Sequence, residues 1–159
     1  MSVPKSRRNE SRTEYVFQSS MLATKVGQMC SRLPKRWSFT RTQYVIAAAN
    51  RVMEECVMAN AIYATSKTEA DKRMCHLQDA LGSVYIVEQY VNQLALDQPM
   101  RPCDAGKKEQ RPCITDGLFS EVAMQCELCI KLIKGVIKSD RRRWSRVRPI
   151  KKTSSRRSA

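Results

Sequence analysis

The sequence predicts an all-α fold: an antiparallel up-down-up-down four-helix bundle with basic N- and C-terminal tails. Three observations predict it. Four segments carry apolar residues at helical spacing, their ends carry capping residues or prolines, and the 159 residues include only five glycines. A sandwich or barrel would need many more tight turns. With 42% hydrophobic and 28% charged residues, the chain has apolar side chains enough for one core.

The first helix is expected from about Ser11 to Arg32. Ser11 and Glu14 have the spacing of a capping box, and Leu22, Val26, Met29 and Leu33 step by four, three and four before Pro34. The second is expected to begin at Thr40, with Gln43 completing a box and Phe39 and Tyr44 placed as a hydrophobic staple. Its stripe is Val45, Ala49, Val52, Cys56, Ala59 and Tyr63. Ser66 and Glu69 cap the third, which carries Met74, Leu77, Leu81, Val84, Val91 and Leu94 before Pro99. The fourth starts near Thr115 or Asp116 and carries Phe119, Val122, Cys126, Ile130, Ile133 and Ile137. Helices of about 22–28 residues, each about 33–42 Å long, joined mostly by short connections, favour the bundle.

The charge divides the chain into three parts. Residues 1–9 carry +3 and residues 141–159 carry +9, neither with an acid, whereas residues 10–140 hold all 15 acids and a net +2. The expected organisation is therefore a nearly neutral bundle over 10–140 between basic tails at 1–9 and 141–159. Such tails attract polyanions, and binding that displaces counterions depends on salt. Nucleic acid is the favoured partner; solubility alone and anionic lipid are the alternatives. Trp144 is placed to stack on a base or to end the packing of the last helix.

Antiparallel topology sends both tails from one pole. At the other it brings Arg32, Lys35, Arg36 and Arg41 near Arg101, Lys107, Lys108 and Arg111. Lys131, Lys134 and Lys138 share one side of the fourth helix and lead into Arg141 and Arg142. The expected phosphate contacts are Lys35, Arg36 and Arg41 at one pole, Lys131, Lys134 and Lys138 on this stripe, and Arg141, Arg142, Arg143 and Arg146 in the tail; a plain solvated face is the competing reading of the three lysines. Val84, Tyr85, Ile86 and Val87 are consecutive and point around the whole third helix, so Tyr85, Ile86 and Val87 are expected at an interface with a second copy.

Enzymatic and metal chemistry find little to work with. The single histidine, His76, excludes paired Glu-x-x-His motifs, and no arginine lies four to seven residues before it. No Walker loop or Gly-x-Gly-x-x-Gly occurs. Cys126 and Cys129 fall inside an apolar helical repeat and read as packing thiols, and neither metal nor cofactor is expected. Glu88 falls on the apolar stripe, where a buried carboxylate needs a partner. No run approaches the roughly 20 apolar residues of a membrane span, and the first twenty residues lack a secretory apolar run, so a cytoplasmic location without membrane contact is expected.

Leu33-Pro34-Lys35 followed by Phe39-Thr40 resembles the first turn of the small four-helix-bundle proteins that include the ribosomal-RNA intervening-sequence proteins and Avd, the accessory variability determinant of diversity-generating retroelements. Ala80-Leu81-Gly82-Ser83 with Glu88 and Val91 resembles the third-helix signature of the first branch. Lys134-Gly135-Val136-Ile137-Lys138-Ser139 resembles the Gly-Gly-Trp-x-x-Ser close of the second. The resemblance implies a homopentamer with a basic surface that binds RNA, and its complementary DNA product, beside a reverse transcriptase. The leading expectation is thus a non-catalytic nucleic-acid-binding accessory protein. A structural bundle that binds a protein partner, with tails serving only solubility, is the alternative from another class, and a helical-bundle nucleotide transferase is a third.

Overall fold

The computed structural model describes residues 5–33, 37–96 and 116–145, with backbone alone at 5–12, 38–39 and 116. All regular structure among them is helical: α1 (Lys5–Ser31), α2 (Gln43–Ala61), α3 (Lys67–Leu96) and α4 (Asp116–Ser145). α1 packs on α2, α2 on α3, α3 on α4 and α4 back on α1, so the four surround one core. No helix among the described residues is long and apolar enough to cross a membrane.

The apolar stripes carry the packing. Leu22, Val26, Met29 and Leu33 are buried, as are Val45, Ala49, Val52, Cys56 and Ala59, then Leu77, Val84, Val91 and Leu94, and finally Phe119, Val122, Cys126, Ile133 and Ile137. Met74, Leu81 and Ile130 sit half-buried at the core's edge. Ala80 and Ser83 are buried with them, and small side chains there let α3 approach its neighbours closely. Burial of this kind is the main stabilising contribution, roughly 1.5–3 kcal/mol for each large aliphatic side chain.

Several expected boundaries move. α1 begins at Lys5, so Ser11 lies inside the helix and is not its cap; nothing between Lys5 and Glu10 is a glycine or proline that would stop it. The second helix does not start at Thr40. A five-residue π-helical turn, Ser38–Thr42, begins after Trp37 and passes directly into α2. Thr42 Oγ1 donates to the Trp37 carbonyl at 3.3 Å. α2 ends at Ala61 because Ile62 turns extended, which leaves Tyr63, expected on the stripe, 78% exposed. The tail boundaries expected at 9/10 and 140/141 both fall within helices.

The box at the start of α3 forms as its spacing predicts. Glu69 N–H donates to Ser66 Oγ at 3.3 Å, and Glu69 Oε2 accepts from the backbone N–H groups of Thr65 and Ser66 at 2.8 and 3.1 Å and from Thr65 Oγ1 at 2.7 Å. The Thr65 hydroxyl and the two backbone donors hold the Glu69 carboxyl down at about 2.

One pole is tied by a half-buried guanidinium. Arg73, near the start of α3, donates through Nε to Asp140 Oδ2 of α4 at 2.8 Å, and through Nη1 to the Ala59 and Ile62 carbonyls at 2.8 and 3.3 Å. Those carbonyls belong to the C-terminal end of α2, which lacks intrahelical donors. Tyr15 of α1 closes the cluster; burial pushes its hydroxyl up to about 12, against the lowering effect of Arg73. Its hydroxyl also donates to Asn60 Oδ1 over a long 3.5 Å. Midway along the bundle, Lys25 donates to Gln125 Oε1 at 3.2 Å, Gln125 Nε2 donates to Gln18 Oε1 at 2.7 Å, and Gln18 Nε2 donates to Glu14 Oε1 at 2.7 Å. This chain of donors stitches α4 to α1 and satisfies buried Gln125.

Arg73→Ala removes the partner of Asp140 and the donor to two carbonyls. It should cost about 2–3 kcal/mol in urea unfolding, more than Asp140→Asn, which keeps a neutral acceptor. Because the folded Glu69 carboxyl lies below its ordinary 4.5, the box contributes stability that is complete above about 4.5 and fades as pH falls toward 2. Glu69→Gln should remove that part of the pH dependence, read from unfolding curves across pH 2–6.

Candidate nucleic-acid interface

α4 buries Phe119, Val122, Cys126, Ile133 and Ile137 on one side, and the basic residues of its later turns collect on the other, where Met124 and Leu128 are exposed nearer its start. Taking Lys131 as reference at 100° per residue, Lys138 and Arg142 lie within about 20° of it, Lys134 about 60° away and Arg141 about 80° away. All five are exposed. The row from Lys131 to Arg142 spans about 17 Å of helix. The only acid between positions 128 and 145 is Asp140, and it lies on the opposite side, paired with Arg73. Between Lys131 and Arg142 the outer face therefore presents cations without an interleaved carboxylate, and exposed Glu127 lies one turn before Lys131 on the same side.

Two further features shape this face. A shallow concavity lies among Gly135, Lys138, Ser139, Arg142 and Arg143. A Cβ at Gly135 would meet nothing within 4 Å, so the backbone there is open to approach. Lys134 Nζ sits 5.5 Å from the centroid of the Tyr85 ring on α3, which fixes the lysine beside the seam between the two helices.

Of the expected phosphate contacts, Lys131, Lys134, Lys138, Arg141 and Arg142 come together on this face. Arg143 stands on its flank, its guanidinium 5.8 Å from the Trp144 ring, and Trp144 is half-buried. Arg41 is elsewhere: it lines a groove between the start of α2 and the end of α3. Lys35, Arg36 and Arg146 lie outside the described residues, as do Arg101, Lys107, Lys108 and Arg111.

The expected interface residues divide. Tyr85 and Ile86 are 40% and 50% exposed, but Val87 is fully buried in the core of the single chain. Val84, Val87 and Val91 are spaced three and four apart, so Val87 continues the stripe and is no part of an outer girdle. Glu88 is half-buried, not enclosed. His76 Nδ1 lies 2.7 Å from Glu55 Oε2 of α2 and ties those two helices together. Burial pushes the Cys126 and Cys129 thiols up to about 12, consistent with packing thiols.

Arg73 was the important residue that periodicity did not single out. Its signals are its place between Ala70 and Leu77 on the inward side of α3 and the isolated acid Asp140 within a basic run. Either one suggests an inward-facing charge seeking a counter-charge. Comparison with known protein families, with curated proteins and with solved structures finds no match to this chain.

Proposed function

We propose that this chain is a non-catalytic nucleic-acid-binding accessory protein, with the outer face of α4 as its RNA-binding surface. The observation that carries the reading is the row of five exposed cations, Lys131, Lys134, Lys138, Arg141 and Arg142, with Asp140 turned inward onto Arg73. Five cations over about 17 Å suit a phosphate backbone, and contacts of this kind position a strand without reading its sequence. The open backbone at Gly135 lets a phosphate approach the helix surface.

The pairing of Tyr15 with Asn60 and of Arg73 with Asp140 joins starts of helices to ends of helices, which supports the antiparallel bundle. In that arrangement α1 begins and α4 ends at the Arg73 pole, so the chain enters and leaves the described helices there. The proposed complementary DNA, the reverse transcriptase and a pentameric assembly rest on the resemblance to the Avd family. Tyr85 and Ile86 are exposed and open to contact by a second copy.

Lys131→Gln, Lys134→Gln and Lys138→Gln combined should weaken RNA binding and flatten the plot of log affinity against log salt by about 2–3, at 0.7–0.9 per lost phosphate contact. Filter binding from low to high salt reads both quantities. An unchanged slope in the triple variant contradicts the reading. Gly135→Ala should stabilise the bundle by about 0.5–1 kcal/mol, because a helical glycine is replaced without a clash.

A further inference from the structure

The groove that holds Arg41 is a second feature, distinct from the α4 face. Its floor is Val45 and Leu94, both buried, and its rim is Arg41, Tyr44, Tyr90 and Gln93. Its volume is about 340 Å³, at the lower end of small-molecule sites and enough for one ring-bearing ligand. The rim comes from two helices brought together by the α2–α3 packing, nearly fifty residues apart in sequence. The π-helical turn Ser38–Thr42 delivers Arg41 to it, and such turns are frequent at functional sites.

We infer that this groove takes one unpaired nucleotide of the RNA strand, a step that rests on the RNA-binding reading of α4. The chemistry is specific in kind. Tyr44, 54% exposed, offers a ring on which a base can stack. Gln93 is exposed and carries both an amide donor and an acceptor suited to a base edge. Arg41 is exposed on the rim and adds positive charge beside the groove. An apolar ligand would use the floor but neither the amide nor the guanidinium. A duplex keeps its bases stacked and paired, so only an unpaired one can enter.

The groove lies toward the end of α3, eight residues beyond Tyr85 at Gln93, hence about 12 Å along the bundle from the level of Lys134. A strand held electrostatically on α4 would pass around α3 to reach it. Division of labour follows: the α4 face supplies affinity for any RNA, and the groove supplies preference for unpaired segments.

The test compares a labelled, unpaired RNA oligonucleotide with a blunt RNA duplex of the same length, by fluorescence anisotropy with the full chain at one salt concentration. Tyr44→Ala should weaken single-strand binding about tenfold while leaving duplex binding and the salt slope unchanged. Tyr44→Phe should bind as the parent does, since it keeps the ring. Gln93→Ala, an exposed change on the other helix, should lower single-strand affinity by a smaller factor and checks the result independently of folding. Tyr44→Ala and Gln93→Ala proteins that bind the single strand like the parent overturn the inference while leaving the α4 reading intact. Equal losses for strand and duplex also overturn it. A parent protein that binds neither overturns both.

Discussion

The Arg73 guanidinium is the interaction on which the rest of the molecule depends. It accepts the charge of Asp140, caps the end of α2 through two carbonyls and lies against Tyr15, so one side chain holds together parts of all four helices. Asp140, the one acid in the last turns of α4, already lies on the side away from the cations, and Arg73 neutralises it there. Without that pairing, a half-buried carboxylate would be left without its counter-charge at the junction of α3 and α4. The contact thus closes one pole of the bundle.

The interior leaves little freedom for that surface to move. Buried side chains recur from Tyr15 to Cys30 on α1 and from Phe119 to Ile137 on α4, and the Lys25–Gln125–Gln18–Glu14 chain fixes α4 against α1 along its middle. Every buried side-chain nitrogen and oxygen among the described residues has a hydrogen-bond partner. Cations carried on a packed helix are pre-positioned, so less ordering entropy opposes binding than for the same charges on an open chain.

Much of the fold was legible in the sequence because apolar spacing is a local property that burial then rewards. The Leu22–Val26–Met29 and Val45–Val52–Cys56 rows became core without exception, and the Ser66–Glu69 box formed with both reciprocal bonds. The failures have physical causes. Ser11 had the right spacing for a cap, but the preceding residues offered no break, so the helix simply continued. Tyr63 had the right spacing for the stripe, but Ile62 had already left helical geometry. Val87 was read as part of a run when its spacing from Val84 and Val91 already marked it as core. The α4 cations were readable because they share a helix face. The Arg41–Tyr44–Gln93 groove was not, because it exists only where two distant segments pack.

RNA binding on the α4 face is the proposed activity. It is tested most directly by purifying the full chain without nuclease at low salt, then measuring mass and absorbance by light scattering before and after a high-salt wash. RNA that travels with the protein and leaves at high salt is the predicted result, since phosphate contacts release counterions. Protein that is free of nucleic acid at low salt, and stays so when RNA is added back, would contradict it.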